Sequence, residues 1–156
     1  MLIAVTLLAC IGAGTVGGVF FAFSAFVMKA LSQLPAAQGA AAMQRINVVV
    51  LNPLFLGVFL GTALLAAAGV VVAALNWGSL RSALLLASGL LYLGGPFLVT
   101  VAFNVPRNER LAGLDPASSQ AAEYWAVYLR EWSLWNHVRS VASVASAACS
   151  AGALAI

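Results

Sequence analysis

Four long apolar stretches dominate the pattern of hydrophobic and polar positions, at approximately residues 2–28, 51–75, 80–103 and 133–156. None carries a charged residue away from its ends, and each reaches the ~20 helical residues needed to cross a hydrocarbon core. Backbone polar groups in lipid are satisfied only in helices or closed barrels, and these stretches do not alternate as barrel strands do. The pattern predicts one all-α domain over residues 1–156, a bundle of four transmembrane helices.

The connections between the spans carry signals of their own. Pro35 breaks the chain before residues 36–50, which resemble a short helix at the membrane interface. Asn52 and Pro53 either cap and start the second span or kink a longer helix. The third connection is polar, and a helix at residues 117–132 leads from it into the fourth span.

Glycine and other small residues predict two features of helix packing. Gly14, Gly18 and Ala22 lie four residues apart, the spacing that lets helix backbones approach closely in lipid. The Gly-Gly-Pro run at residues 94–96 predicts an interruption of the third span, and a kink there opens space between helices.

Composition agrees with a membrane protein and adds its orientation. Only 7% of the residues are charged, whereas a soluble domain carries roughly 25%. The seven basic residues lie mostly in connections, so they indicate topology and not a nucleic-acid partner. The first and third connections of a four-span protein share one side, which the positive-inside rule places in the cytoplasm. We expect a multi-pass protein of the bacterial inner membrane with both termini outside.

The remaining composition excludes several site types. Cys10 and Cys149 lie inside apolar helices, where cysteine acts as a small packing residue. One histidine with two such cysteines cannot build a zinc or copper site from protein ligands. The chain has neither a glycine loop for phosphate nor a serine nucleophile elbow. We expect no metal and no cofactor.

Polar chemistry is concentrated in residues 104–139, which hold eight of the eleven charges, the one histidine and three of the four tryptophans. Topology brings five of the six asparagines to the same membrane face, namely Asn47, Asn52, Asn104, Asn108 and Asn136. Polar groups near lipid are costly unless they pair or surround a wet cavity. We therefore expect a polar pocket at the mouth of the bundle.

Helical spacing divides the start of the fourth span into two faces. Tyr128, Trp132, Trp135 and Arg139 share one face, and His137 lies roughly opposite. Plainer interpretations remain open. The aromatic face is an interfacial belt, the arginine anchors topology or pairs with a glutamate of its own helix, and the histidine joins helices by hydrogen bonds. The asparagines then cap helix ends.

Two motifs point to a known family. Phe-Asn-Val-Pro-x-Asn at residues 103–108 and Trp-x-x-Trp-Asn-His-x-Arg at residues 132–139 resemble the anthrone oxygenase family of small membrane proteins. The similarity extends over nearly the whole chain, and most bacterial relatives are labelled only as a domain of unknown function. The resemblance implies oxidation of anthrones to anthraquinones by molecular oxygen, with no metal or flavin.

The resemblance also suggests a mechanism. An anthrone has an acidic C–H bond opposite its ketone, and deprotonation yields a phenolate-like anion able to reduce oxygen. His137 is the expected base because the ordinary pKa of imidazole lies near neutrality. Asn136 and Arg139 complete the expected catalytic set and stabilise the oxyanion with Asn104 and Asn108. The full set of expected substrate-binding residues is Asn47, Asn52, Asn104, Asn108, Trp132 and Trp135.

The sequence leaves open both the geometry of the site and the function of the protein. His137 and Arg139 diverge on an ideal helix, so they share a substrate only across a kink or between helices. The expected partners are an apolar aromatic molecule, oxygen and the lipid bilayer, and homo-oligomerisation is left open. The alternative functions are a non-catalytic membrane protein, either an assembly factor or a binder of apolar small molecules, and a dimeric transporter.

Overall fold

A computed structural model describes residues 2–156 and is entirely helical in the regular elements of that range. The α-helices in chain order are α1 (Leu2–Ala22), α2 (Met28–Ser32), α3 (Ala36–Val49), α4 (Pro53–Leu75), α5 (Leu80–Tyr92), α6 (Val105–Ala112) and α7 (Ser119–Ala155). Wide π-helical turns join α1 to α2 at Phe23–Val27 and α5 to α6 at Leu93–Leu98 and Thr100–Asn104.

These elements form four membrane spans, and the predicted four-helix bundle is confirmed. The spans are Ile3–Ser32, Pro53–Leu75, Leu80–Ala112 and Ser119–Ala155. The first and third spans continue beyond the expected ends at 28 and 103 because the π-helical turns keep the chain helical. The protein is therefore an integral, multi-pass membrane protein.

Local chemistry accounts for where the helices start. Asn52 caps α4, since its side-chain oxygen accepts a hydrogen bond from the backbone N–H of Phe55 (3.0 Å). Pro53 occupies the first turn, where a missing N–H costs nothing. The Asn-Pro pair thus starts the second span and does not kink a longer helix. Ser79 and Ser118 cap α5 and α7 in the same way.

The glycines at the close helix contacts are not the ones that the four-residue spacing predicts. A Cβ at Gly14 or Gly18 would meet no atom of another described helix within 4 Å, so the expectation that these two lie at a helix contact is wrong. The contacts occur at Gly12, which lies against Thr62, and at Gly17, where a Cβ would lie 3.0 Å from the Cβ of Ser143. The four-residue spacing identified a stripe but not the direction in which it faces.

The first and third connections pack together at one end of the bundle. The side-chain N–H groups of Gln44 on α3 donate to the backbone oxygens of Leu111 (2.8 Å) and Leu114 (2.9 Å). Helix α7 has 37 residues, about 55 Å, and so extends well beyond a ~30 Å hydrocarbon core. Its first half joins α3 and α6 in a layer over this end.

Candidate functional site

A cavity of about 380 Å³ lies beneath that layer, between α3, α6 and the ends of the spans. Its volume is within the range of small-molecule sites. Aromatic rings contributed by α1, the following π-helical turn, α4 and α7 form much of its wall: Phe20, Phe23, Phe55, Phe59 and Trp132. The polar side chains that line it are Gln44, Asn47, Thr100, Asn108, Glu109 and Arg139.

Arg139 is a buried cation in this cavity, with 5% of its surface exposed. Its guanidinium donates to the Oδ1 atom of Asn136 (2.7 Å) and to the hydroxyl of Thr100 (3.1 Å). The guanidinium carbon lies 4.1 Å from the ring centre of Phe20 and 4.9 Å from that of Trp132. The Nε atom is buried and has no hydrogen-bond partner among residues 2–156.

No carboxylate of the described residues forms an ion pair with Arg139. Glu131, the glutamate of the same helix that could pair with this arginine, instead pairs with Arg107 on α6 (2.9 Å). A buried charge is expensive unless it is paired and hydrogen-bonded, and the two neighbouring rings offset only part of that cost. The arrangement can therefore bind an anion brought into the cavity.

Asn136 holds the arginine in place. It is completely buried, and its side-chain amide donates to the backbone oxygen of Phe20 and to the hydroxyl of Ser24, both at 2.7 Å. With both amide hydrogens engaged on the first span, its oxygen is turned toward Arg139. Ser24 also shares a hydrogen bond with Ser140 (3.1 Å), which ties this network back to α7.

Asn108 and Asn47 position aromatic side chains at the cavity. The Oδ1 atom of Asn108 accepts hydrogen bonds from the hydroxyl of Tyr128 (2.7 Å) and the indole N–H of Trp132 (2.9 Å). Asn47 donates to the same tyrosine hydroxyl (3.4 Å). These bonds orient the indole of Trp132 along the cavity wall.

Three of the expected substrate-binding residues lie outside the cavity. Asn104 is completely buried and donates to the backbone oxygen of Trp132 (3.3 Å), while its Oδ1 atom has no partner. Asn52 is an exposed helix cap. Trp135 stacks on Phe103, with ring centres 3.6 Å apart and planes 12° apart.

His137 is also separated from the cavity. Its side chain is exposed on α7, and it does not line the cavity that Arg139 borders. Residues 136 and 139 point into the bundle, whereas 137 and 138 point outward, as expected for one continuous α-helix. The structure therefore does not bring the predicted base and the predicted oxyanion donor together, and the catalytic role of His137 stays a prediction.

Several residues of the cavity were not singled out from the sequence. Thr100 and Phe20 carry no local signal, because one is a single hydroxyl in an apolar span and the other is one of eight phenylalanines. Glu109 is one of the eight charges in residues 104–139, and it directly follows the Asn108 of the first motif. That adjacency was the available signal.

The rest of the described chain offers no metal cluster and one further cavity. In the described part of the chain, no three His, Cys, Asp or Glu side chains are grouped so that they could hold a metal ion. A second cavity, of about 330 Å³, is bordered by α1, α4, α5 and α7 near residues such as Ala9, Leu85 and Ser88. It has no charged lining residue, so it offers no comparable anchor for an anion.

Comparison with known protein families gives a match to most of the chain. The family model described as Anthrone oxygenase matches residues 54–149, a range that includes Thr100, Asn108, Trp132, Asn136 and Arg139. No curated protein and no solved structure matches the chain.

Proposed function

The chain belongs to the anthrone oxygenase family, and from that premise we propose that it oxidises an anthrone-like or phenolic aromatic with molecular oxygen, without a cofactor. The observation that carries the proposal is a buried arginine, without a carboxylate partner among the described residues, in a cavity walled by aromatic rings. Such a cavity suits a flat apolar molecule that becomes an anion during the reaction.

Arg139 is proposed to stabilise the charge that develops on the substrate. An anthrone is neutral until its methylene loses a proton, after which the negative charge resides largely on the carbonyl oxygen. A preorganised cation at that oxygen favours the anion over the neutral ground state, and a low-dielectric site strengthens the effect. Asn136 acts through Arg139 as a positioning residue, since it holds the guanidinium.

The aromatic walls are proposed to orient the fused rings of the substrate. The indole of Trp132 lines the cavity and is oriented by its hydrogen bond to Asn108. On another wall, Phe55 and Phe59 form a stacked pair with 5.9 Å between ring centres. Offset and edge-to-face contacts between rings contribute about 0.5–1.5 kcal/mol each beyond the area they bury. The walls thus favour planar aromatics over flexible lipids.

The overall reaction balances without a further reductant. The substrate anion gives one electron to oxygen, and the resulting superoxide joins the ring radical through a new C–O bond. The hydroperoxide so formed loses water to leave a carbonyl group. One methylene and one dioxygen molecule thus become one carbonyl and one water.

Oxygen uptake with an anthrone tests the proposal. In vesicles containing the full chain, quinone formation and oxygen consumption should exceed those of protein-free vesicles. Arg139→Gln should lower kcat/KM by about 10²–10³-fold, the usual effect of removing an oxyanion donor. The matched control is Arg130→Gln, an exposed arginine on the same helix, which should retain wild-type activity.

Two outcomes would contradict this assignment. Wild-type protein that forms no quinone above the background would exclude the oxygenase. A wild-type rate in Arg139→Gln would exclude the arginine as the anchor for the oxyanion. Unfolding of that variant is checked by its elution from a sizing column in detergent.

A binder of aromatic anions is the second candidate, favoured by the same cavity. An assembly factor is expected to have a filled bundle, so the cavity of about 380 Å³ argues against an assembly factor. If the protein is a binder, adding an anthrone or its quinone should quench or shift the fluorescence of Trp132, and no oxygen should be consumed.

The proposed setting is the inner membrane of a bacterium, with the layer of α3, α6 and the start of α7 on the cytoplasmic side. Four of the basic residues lie in that layer: Arg45, Arg107, Arg110 and Arg130. This distribution follows the positive-inside rule. Oxygen and an apolar aromatic both partition into lipid, which supports a site beside the bilayer.

A further inference from the structure

Glu109 is the one residue with a carboxylate among the described residues that line the cavity. The other charged lining residue is Arg139, and the remaining polar lining side chains are amides, one threonine hydroxyl and one indole. Neither amides nor hydroxyls are bases near neutrality. Since His137 lies outside the cavity, the proton acceptor must be a residue other than His137.

The Glu109 carboxylate is free to act. It is exposed, and it forms no hydrogen bond or ion pair with any residue in the described range. The arginines beside it are engaged elsewhere: Arg107 pairs with Glu131, and the guanidinium of Arg110 lies 4.2 Å from the ring centre of Tyr124. A carboxylate without a partner at the edge of a cavity is available to a substrate.

We infer that Glu109 is the base that removes the substrate's proton, an inference that rests on the proposed oxygenase function. The ketone and the acidic methylene of an anthrone lie at opposite corners of the central ring. If the ketone oxygen meets the buried Arg139, the methylene points back toward the exposed side, where Glu109 borders the cavity. One residue thus stabilises the oxygen while the other deprotonates the carbon.

The apolar rim of the cavity gives both reactants access to the same side. Val48, Leu51 and Val105 line the cavity and are 63%, 65% and 36% exposed, so the described chain leaves this apolar edge of the cavity uncovered. Val105 precedes Glu109 by one helical turn and shares its face of α6. Oxygen and substrate entering from the bilayer therefore arrive beside the carboxylate.

The proton balance closes with Glu109 alone. Its carboxylate takes one proton from the methylene, and the C–H electron pair moves into the ring and its oxygen. After oxygen has added to this carbon, the acid returns its proton to the peroxide. The carboxylate then takes the second proton of the same carbon while the O–O bond breaks. The departing hydroxide recovers that proton as water.

The test compares two exposed glutamates in the full chain in vesicles. Glu109→Gln keeps the shape and removes the base, so kcat should fall by about 10²–10⁴-fold with little change in KM. Glu123→Gln, on α7 and outside the cavity lining, should retain the wild-type rate. Glu109→Ala should regain activity when formate is added, since a small carboxylate can enter the space left by the side chain.

The possible results separate this inference from the proposed function. If wild type oxidises an anthrone and Glu109→Gln does so at a similar rate, Glu109 is not the base and the oxygenase stands. If wild type forms no quinone above the background, both proposals fail. A loss in Glu109→Gln without formate rescue of Glu109→Ala would also overturn the role as base, because a merely structural carboxylate predicts that pattern.

Discussion

The decisive residue is a cation that the protein leaves without a counterion. Arg139 loses most of its hydration on burial, and it recovers part of that energy from two hydrogen bonds and two aromatic faces. Cation–π contacts provide about 2 kcal/mol or more where water is excluded. Since a carboxylate partner would neutralise the charge, its absence among the described residues leaves the guanidinium able to bind an anion.

At the same scale, His137 provides a sharp negative prediction. His137→Gln should leave kcat/KM within about twofold of wild type, because the side chain is exposed and outside the cavity lining. Steady-state oxygen uptake measures this directly. A loss of activity comparable to that of Arg139→Gln would restore the histidine as the base and remove Glu109 from that role.

At the level of elements, wide helical turns shape the cavity. Three π-helical turns, at Phe23–Val27, Leu93–Leu98 and Thr100–Asn104, occur in the two spans that face the first half of α7. Such turns are frequent at functional sites. Pro96 lies inside one of them, where it removes a backbone donor. The turns allow Thr100 to reach Arg139 and Ser24 to reach Asn136.

Helix contacts at this scale depend on particular glycines. A Cβ at Gly89 of α5 would lie 2.7 Å from the backbone oxygen of Ala66 on α4, which cannot move without breaking its helix. Gly89→Ala should therefore destabilise the protein by about 1–3 kcal/mol, the usual cost of overpacking. Denaturant unfolding in detergent measures the change in free energy.

The matched control for that substitution is Gly61→Ala on α4. A Cβ at Gly61 would meet no atom of another described helix within 4 Å, and alanine is the better helix former. We expect Gly61→Ala to unfold at the same or a slightly higher denaturant concentration. Equal destabilisation by both variants would contradict the packing of α4 against α5 described above.

At the scale of the whole molecule, the layer at one end roofs the bundle. Buried residues of α3, α6 and α7 form one apolar cluster with Met28, in which Met43, Leu111, Tyr128 and Trp132 take part. This cluster packs over the cavity, and the apolar residues Val48, Leu51 and Val105 at the rim of the cavity are exposed. In the proposed function, an apolar substrate enters the cavity from the bilayer over this rim.

The orientation of the whole molecule is testable by labelling. Single cysteines replacing Gln38 and Gln120, in a variant lacking Cys10 and Cys149, should react with an impermeant maleimide only after cells are opened. A cysteine replacing Trp77, in the turn between α4 and α5, should react in intact cells. Reaction of Gln38→Cys and Gln120→Cys from opposite sides would contradict the shared layer.

The amino-acid sequence by itself determined the membrane spans and the end of the bundle at which the polar chemistry gathers. Spans follow from the length and composition of contiguous segments, which need no knowledge of neighbours. Two spans separate the first connection from the third, so both connections lie on the same side of the bundle. The hydrogen bonds from Gln44 to Leu111 and Leu114 agree with this placement. The family motifs likewise lie in contiguous sequence, and the family assignment is confirmed.

Only the tertiary structure decided which polar side chains share a cavity. The choice between Arg139 and His137, or between Asn108 and Asn52, depends on how each helix is rotated against its neighbours. That rotation is set by contacts distant in sequence, such as those of Asn136 with the first span, and by π-helical turns that shift the helical register. The helical period gives the directions of side chains relative to one another on a single helix. A site also depends on how several helices are rotated toward one another, which the period does not give.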